Sequence, residues 1–235
     1  MRPKRHRRSL PRRIARFLLA VAAAWIVLTG AAVLALRTFD PPTTSVMLLE
    51  PGPWRAIDYR WVDRDRISDA MARAAIAAED QRFLAHPGID VDALSDAIED
   101  YRDGDDLRGA STITQQVAKN LFLWNGRSFA RKGLETWFAL LIDLAWPKER
   151  VLEVYLNVAE FGVGVFGVEA AALRFYGVPA TQLTASQAAT LAAVLPSPKR
   201  MNAAAPSEYV DARRREILEQ IRLLEERGHY RGLDW

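Results

Sequence analysis

"GASTITQQVAKNLF" occupies residues 109–122, and its periodicity sets the reading of the chain around it. Ile113, Val117 and Leu121 recur at i, i+4 and i+8, the spacing of one buried stripe on an α-helix. Ser111, Gln115 and Lys119 recur at the same spacing, about 200° further round, and make a wholly polar stripe. Gly109 and Ser111 suit a tight turn into the helix N-terminus, where free N–H groups favour anions. By periodicity alone, this is an ordinary amphipathic helix with a Ser/Thr cap.

The neighbouring stretches repeat the pattern of apolar helices carrying concentrated charge. Upstream, "MARAAIAA" (71–78) runs into "EDQRFLAHPG" (79–88). Adjacent carboxylates, Glu79 and Asp80, close a helix of small residues before a His-Pro-Gly stop. Such carboxylates are either a solvated helix end or groups aimed into a cleft. Downstream, "RSFARKGLETWF" (127–138) places Arg127, Arg131 and Glu135 at i, i+4 and i+8, with Lys132 beside them. That is either a surface ladder of paired charges or an anion-binding rim. In "PKERVLEVYLNVAEFGVGVFGVEAAALRFYG" (147–177), Val151, Leu152, Tyr155 and Leu156 face inward. Gly162, Gly164 and Gly167 read as positions of close packing. Tyr155 and Asn157 are either buried hydrogen-bonders or cleft residues. The acidic run Asp96, Glu99, Asp100, Asp103, Asp105 and Asp106 lacks the spacing of a calcium loop and reads as a solvated connection. His6, His86 and His229 lie far apart, so neither a histidine metal site nor a Ser/His/Asp arrangement is supported. His86 reads as holding the turn after Glu79.

The N-terminus differs from the rest. Eight of the 32 Lys and Arg fall in residues 1–16, with no acid among them. The remainder is net acidic, so the overall charge of +3 is no sign of nucleic-acid binding. "FLLAVAAAWIVLTGAAVLAL" (17–36) follows, twenty residues without a charge. It is long enough for the roughly 30 Å hydrocarbon core. A cleaved secretory signal has a shorter apolar region and a small-residue cleavage site. The pair Arg12-Arg13 is poorly placed for a twin-arginine signal. The stretch therefore reads as an uncleaved transmembrane anchor with its basic end in the cytoplasm. The absence of cysteine fits a periplasm-facing domain.

The organisation expected is a basic tail (1–16), the anchor (17–36), an extended Pro-rich stalk (37–55) and one mostly α-helical domain (56–235). A strand-like piece, "AIDYRWV" (56–62), precedes helices near 67–84, 91–102, 111–123, 128–145, 148–160, 164–176, 184–195 and 207–227. Thr184 with Gln187 forms a capping box, Pro196 stops that helix, and Ser207 and Gly228 bound the last one.

Together these stretches resemble the peptidoglycan glycosyltransferases, glycosyltransferase family 51, over about residues 54–200. "EDQRFLAHPG" is similar to the family's first motif, "GASTITQQVAKN" to its second and "RKGLE" to its third. "KERVLEVYLN" and "GVGVFGVEAAALRFYG" are similar to the fourth and fifth. Leu134 stands where some members carry a second basic residue before the third-motif glutamate. The single anchor and short chain resemble the monofunctional members. No S-x-x-K or K-T-G of a transpeptidase is present.

The resemblance implies a mostly α fold: a lysozyme-like core with a smaller membrane-proximal lobe. It implies polymerisation of lipid II, by transfer of a growing glycan from undecaprenyl pyrophosphate to the 4-hydroxyl of the next acceptor. By that resemblance Glu79 is the general base. Lys119 and Arg127 meet the donor pyrophosphate, with Arg131 and Lys132 nearby. Glu135 orients the donor site or a divalent cation, Mg²⁺ or Mn²⁺. No organic cofactor is implied. Asp80 and Arg82 support Glu79, and Ser111, Gln115 and Gln116 line the cleft. The expected partners are lipid II, the lipid-linked glycan and the membrane; contacts with division or elongation proteins are left open. The expected location is the bacterial inner membrane, with the domain in the periplasm. A lysozyme-like hydrolase is the rival enzyme, but it needs a protonated acid and no ring of cations. A silent glycan-binding scaffold is the other rival, and it has no need of Glu79 or Lys119.

Overall fold

Helices account for most of the chain in a computed structural model that describes residues 10–50, 57–93, 95, 111–126, 128–233 and 235. Among these residues the α-helices are α1 (Leu10–Thr38), α2 (Ser45–Leu49), α3 (Asp69–Glu79), α4 (Ile113–Phe122), α5 (Phe129–Ala145), α6 (Lys148–Val158), α7 (Val168–Tyr176), α8 (Ala185–Val194) and α9 (Glu208–Glu226). Three short strands, β1 (Asp58–Tyr59), β2 (Glu160–Gly162) and β3 (Val165–Phe166), form one sheet in the order β1-β3-β2. β1 is parallel to β3, with Asp58 opposite Val165, and β2 is antiparallel to it.

Small side chains decide how the helices meet. α3 buries Ala72, Ala74, Ala75 and Ala77, and α8 buries Ala188, Ala189, Ala192 and Ala193. The two helices pack on each other, and α9 covers both. α4 lies against α5 and α6, with Ile113 and Val117 fully buried and Leu121 nearly so. This is the stripe its sequence predicted, and each such side chain contributes roughly 1.5–3 kcal/mol by leaving water. Val151, Leu152, Tyr155 and Leu156 of α6 are all fully buried, as their spacing predicted.

The helix ends follow local chemistry. Thr184 and Gln187 form the expected capping box of α8, and Ser207 accepts from the Val210 N–H at the start of α9. Gly167 has φ +86, and a Cβ there would sit 2.6 Å from the Asn157 carbonyl oxygen. Its packing role is therefore obligatory. β2 and β3 form a hairpin where the sequence suggested two nearly consecutive helices. The hairpin turns at Gly164, which has φ +71, a conformation helix propensity does not anticipate.

On the N-terminal side the apolar stretch is helical as expected, and the stalk differs. The apolar stretch 17–36 lies within α1, which is long and apolar enough over Arg12–Thr38 to cross a membrane. The stalk is not extended throughout. Thr44 caps α2 by accepting from the Met47 N–H, and Val46 and Met47 are buried against Phe166. Ser45 Oγ donates to the Leu121 carbonyl at 2.8 Å, so residues 45–49 belong to the folded body. Burial of two apolar side chains outweighs the extended bias of the flanking prolines. The expected helix over 91–102 and the acidic run lie largely outside the described residues.

Candidate active site

The site begins where α3 ends. Glu79 is its last residue, half-buried, and Asp80 is the buried cap. The two adjacent carboxylates do different work. Asp80 Oδ1 lies 2.8 Å from His86 Nε2, and Asp80 Oδ2 accepts from the Ile113 N–H at 3.0 Å. Thr112 Oγ1 donates to the Gly88 carbonyl at 2.6 Å. These bonds staple the loop after α3 onto the start of α4. His86 holds the turn, as its sequence context suggested. Asp80 also places negative charge at the positive end of α4. The N-terminus of α4, anticipated as an anion site, is thus occupied from within the protein.

Glu79 faces the other way. Its Oε2 accepts from Gln116 Nε2 at 2.7 Å. The partner is a neutral amide. Burial raises the Glu79 pKa above the ordinary carboxylate value; the Gln116 hydrogen bond and the charges of Arg213 and Lys119 oppose this, and Asp80 reinforces it. Tyr155, fully buried beneath, donates weakly to Gln116 Oε1 at 3.5 Å. Burial first, then the charges of Glu79 and Asp80, hold the phenol well above its usual pKa, so it is a neutral donor.

Two cavities flank the Glu79–Gln116 contact. The larger, about 430 Å³, is lined by Gln116, Lys119, Asn120, Tyr155, Glu160 and the Ser197–Arg200 segment, among others. The smaller, about 250 Å³, is lined by Glu79, Asp80, Arg82, Ser111 and Thr112, among others. The Lys119 side chain makes no hydrogen bond or ion pair among the described residues. Burial lowers its pKa; Glu135, Glu79 and Glu160 act against that, and Arg131 acts with it. A half-buried ammonium without a partner is poised for an anionic ligand.

α5 supplies the second charged cluster. Ser128 caps it, which orients Arg131 and Lys132 one turn before Glu135. Glu135 is buried, with 3% exposure. Its Oε2 accepts from Arg131 Nη1 at 2.5 Å and its Oε1 from Lys132 Nζ at 2.6 Å. Lys132 Nζ also donates to Ser111 Oγ at 2.9 Å, which ties the cluster to the edge of the smaller cavity. Among the described residues the Arg131 Nε–H is buried without a partner.

The structure thus brings Glu79, Gln116, Lys119, Ser111, Arg131, Lys132 and Glu135 to one region. Gln115 serves the fold instead. It is 4% exposed and completes a capping box with Thr112, its Oε1 accepting from the Thr112 N–H at 3.0 Å. Ser111 precedes the helix, so the polar stripe Ser111–Gln115–Lys119 is not one surface. Arg82 lines the smaller cavity and pairs with Asp92 at 2.7 Å and Asp90 at 3.5 Å. Asn157 is a buried hydrogen-bonder, accepting from the Val62 N–H and donating to the Val62 carbonyl, both at 2.9 Å. Arg127 lies outside the described residues. The sequence reading missed Arg213 on α9, which donates to the Ala78 carbonyl at 3.3 Å, beside Glu79. It also missed Lys199, which bridges Glu50 and Glu160 on the far wall of the larger cavity. Neither sits in a stretch whose spacing marks it; only packing brings them here.

The described residues do not fit a protein-held divalent cation. No three carboxylate, His or Cys side chains among them converge, and both Glu135 oxygens already hold cations.

The sequence model of the family described as Transglycosylase matches residues 50–222. The chain is 48% identical over 229 residues to a biosynthetic peptidoglycan transglycosylase of Xanthomonas campestris pv. campestris (strain B100), covering 94% of this chain and 91% of that one. It is 47% identical over 209 residues to a protein of the same description from Caulobacter vibrioides, covering 88% and 90%. A third, from Shewanella oneidensis, is 48% identical over 198 residues, covering 83% and 85%.

Proposed function

The chain belongs to the transglycosylase family, and from that premise we propose that it is a peptidoglycan glycosyltransferase in which Glu79 is the base and the α4 and α5 cations receive the leaving group. The observation that carries the reading is the setting of Glu79. It is a half-buried carboxylate held by a neutral amide, placed between two cavities, with Lys119, whose ammonium is unpaired among the described residues, on the same helix as that amide.

The substrates are lipid II and a glycan on undecaprenyl pyrophosphate. The acceptor 4-hydroxyl attacks the donor's anomeric carbon. A C–O bond forms there as the bond to the pyrophosphate oxygen breaks, with inversion to a β1,4 link. The hydroxyl proton passes to Glu79, a contribution of roughly 10²–10⁴-fold. Burial suits Glu79 to this, because a raised pKa makes the carboxylate a better proton acceptor. The departing pyrophosphate takes the electron pair and needs positive charge, not a proton. Lys119, Arg127 and the Arg131–Lys132 pair supply it, and Glu135 holds the pair in register. Gln116 and Ser111 border the sugar path, and Arg82 lines the acceptor's side. A protonated acid in a hydrolase would be the wrong tool for a pyrophosphate leaving group.

α1 anchors the enzyme in the bacterial inner membrane, with the basic tail in the cytoplasm and the domain in the periplasm. This places the cleft on the face where both lipid-linked substrates lie. The test is incubation of the full-length protein with lipid II. Long glycan chains that disappear in Glu79→Gln support the reading; hydrolysis of preformed glycan, or no reaction, refutes it.

A further inference from the structure

Arg150 opens as an unremarkable residue of α6, an i, i+3 partner for Glu153. Its guanidinium also reaches a distant part of the chain. Nη1 donates to Glu153 Oε2 at 2.8 Å and to Asp40 Oδ1 at 2.9 Å. Nη2 donates to the Leu36 and Phe39 carbonyls, both at 3.1 Å, and Nε to the Leu36 carbonyl at 3.3 Å. The group lies 5.2 Å above the Trp61 ring, and its side chain is 11% exposed. Leu36 is in the last turn of α1, where carbonyls have no intrahelical partner and the dipole is negative. Arg150 is therefore the C-terminal cap of the apolar helix, delivered from 114 residues away.

Further contacts run down the same helix. Trp146 Nε1, between α5 and α6, donates to the Val33 carbonyl at 2.8 Å. Trp137 Nε1 donates to Thr29 Oγ1 at 3.3 Å, and Trp25 meets Phe138 edge-on at 6.3 Å. Val33 and Thr29 are buried. From Trp25 to Thr38, about 20 Å of α1 is fastened to the folded body. The elements it fastens to carry the site: α5 bears Arg131, Lys132 and Glu135, and α6 bears Tyr155.

We propose that Arg150 is a positioning residue that locks the anchor to the catalytic body, so that α1 sets the height and tilt of the cleft over the bilayer. The inference rests on the reading that both substrates are lipid-linked. Their pyrophosphates lie at one depth, set by the headgroups. A cleft on a loose tether would sample many depths and orientations, and misplacement by even 1 Å can cost about 10²-fold. A cleft fused to the spanning helix meets the phosphates at a fixed level. Lys at this position keeps the charge but not the flat fork that serves two carbonyls and two carboxylates together.

The test uses the full chain in lipid vesicles. The protein has no cysteine, so Leu19→Cys and Tyr209→Cys give one spin-label pair across the junction. The parent should give one narrow distance distribution, Arg150→Ala a broad one and Arg150→Lys an intermediate one. In parallel, the polymerisation rate on membrane-embedded lipid II should fall at least about tenfold in Arg150→Ala, while the rate on a short-chain, water-dispersed lipid II stays within about twofold. A narrow distribution in Arg150→Ala, or equal loss on both substrates, overturns the proposal. Should Arg150→Ala fail to fold, Asp40→Asn and Arg150→Lys carry the same distance measurement, and narrow distributions in both overturn it. A parent that polymerises neither substrate refutes the proposed activity, while the distance measurement still judges the lock.

Discussion

Glu79, half-buried, and Glu135, buried, are carboxylates in one charged region, yet their surroundings differ. Glu79 accepts from one neutral amide, Gln116. Glu135 accepts from two cations, Arg131 and Lys132, one on each oxygen. Burial pushes the Glu79 pKa up, against the Gln116 hydrogen bond and the more distant charges of Arg213 and Lys119, and leaves an acceptor for a proton. Burial between two cations makes Glu135 the centre of an ion triad that organises positive charge. On the proposed reading the same residue type is a base in one setting and a brace in the other, and the partner decides which.

The largest effect that could break this comparison is at Glu79. Glu79→Gln should lower the polymerisation rate by at least about 10²-fold. Its stability at neutral pH should not fall. A carboxylate with a raised folded-state pKa binds its proton more tightly folded than unfolded, so it disfavours the fold once pH exceeds that pKa. Rate assays and thermal unfolding of one purified variant check both halves. A variant that unfolds readily would make Glu79 a structural residue like Glu135.

The converse test is at Glu135. Arg131→Met leaves a buried carboxylate with only Lys132, and the loss of one partner of a buried pair should destabilise by about 3 kcal/mol. Denaturant titration reads this directly. Pyrophosphate affinity should fall in the same variant. If stability is unchanged, the triad is a solvated surface pair after all.

A smaller effect is expected from the cap between the two clusters. Thr112→Ala removes a side chain that accepts from Gln115 N–H and donates to the Gly88 carbonyl, and should cost about 1 kcal/mol. Because the α4 N-terminus carries Gln116 and Lys119 behind it, a modest rate loss should accompany it.

The finest distinction is in pH. Wild-type activity should fail as pH drops through a Glu79 pKa above the ordinary carboxylate value. Gln116→Leu removes the hydrogen bond that favours the charged form, so the acid limb should move to still higher pH. A limb that stays in place means that Gln116 does not touch the base in solution.

Much of the fold was legible from periodicity. The helices from α4 onward lie within a few residues of expectation, because burial of a 3.6-residue stripe decides both their existence and their inward face. α3 stops earlier than expected at Glu79, where Asp80 turns to cap α4, a bond to a residue 33 positions on. The α2 turn was hidden among prolines, since its reason for existing is a pocket formed by Phe166, far along the chain.

The candidate site divides the same way. The sequence by itself determined the helical class and an apolar stretch long enough to cross a membrane, because residue type and spacing carry those; it singled out Glu79, Lys119, Arg131, Lys132 and Glu135 only through the resemblance of their motifs to the family's. Only the tertiary structure decided that Gln115 caps while Gln116 reaches Glu79, and that Asp80 serves the fold and its neighbour the cleft. It also brought Arg213 beside Ala78 and closed Arg150 over the end of α1. The reason is physical. Helical spacing fixes which side chains share a face, but a partner 37 or 114 residues away is fixed by packing, and packing chose which carboxylate would meet an amide and which a cation.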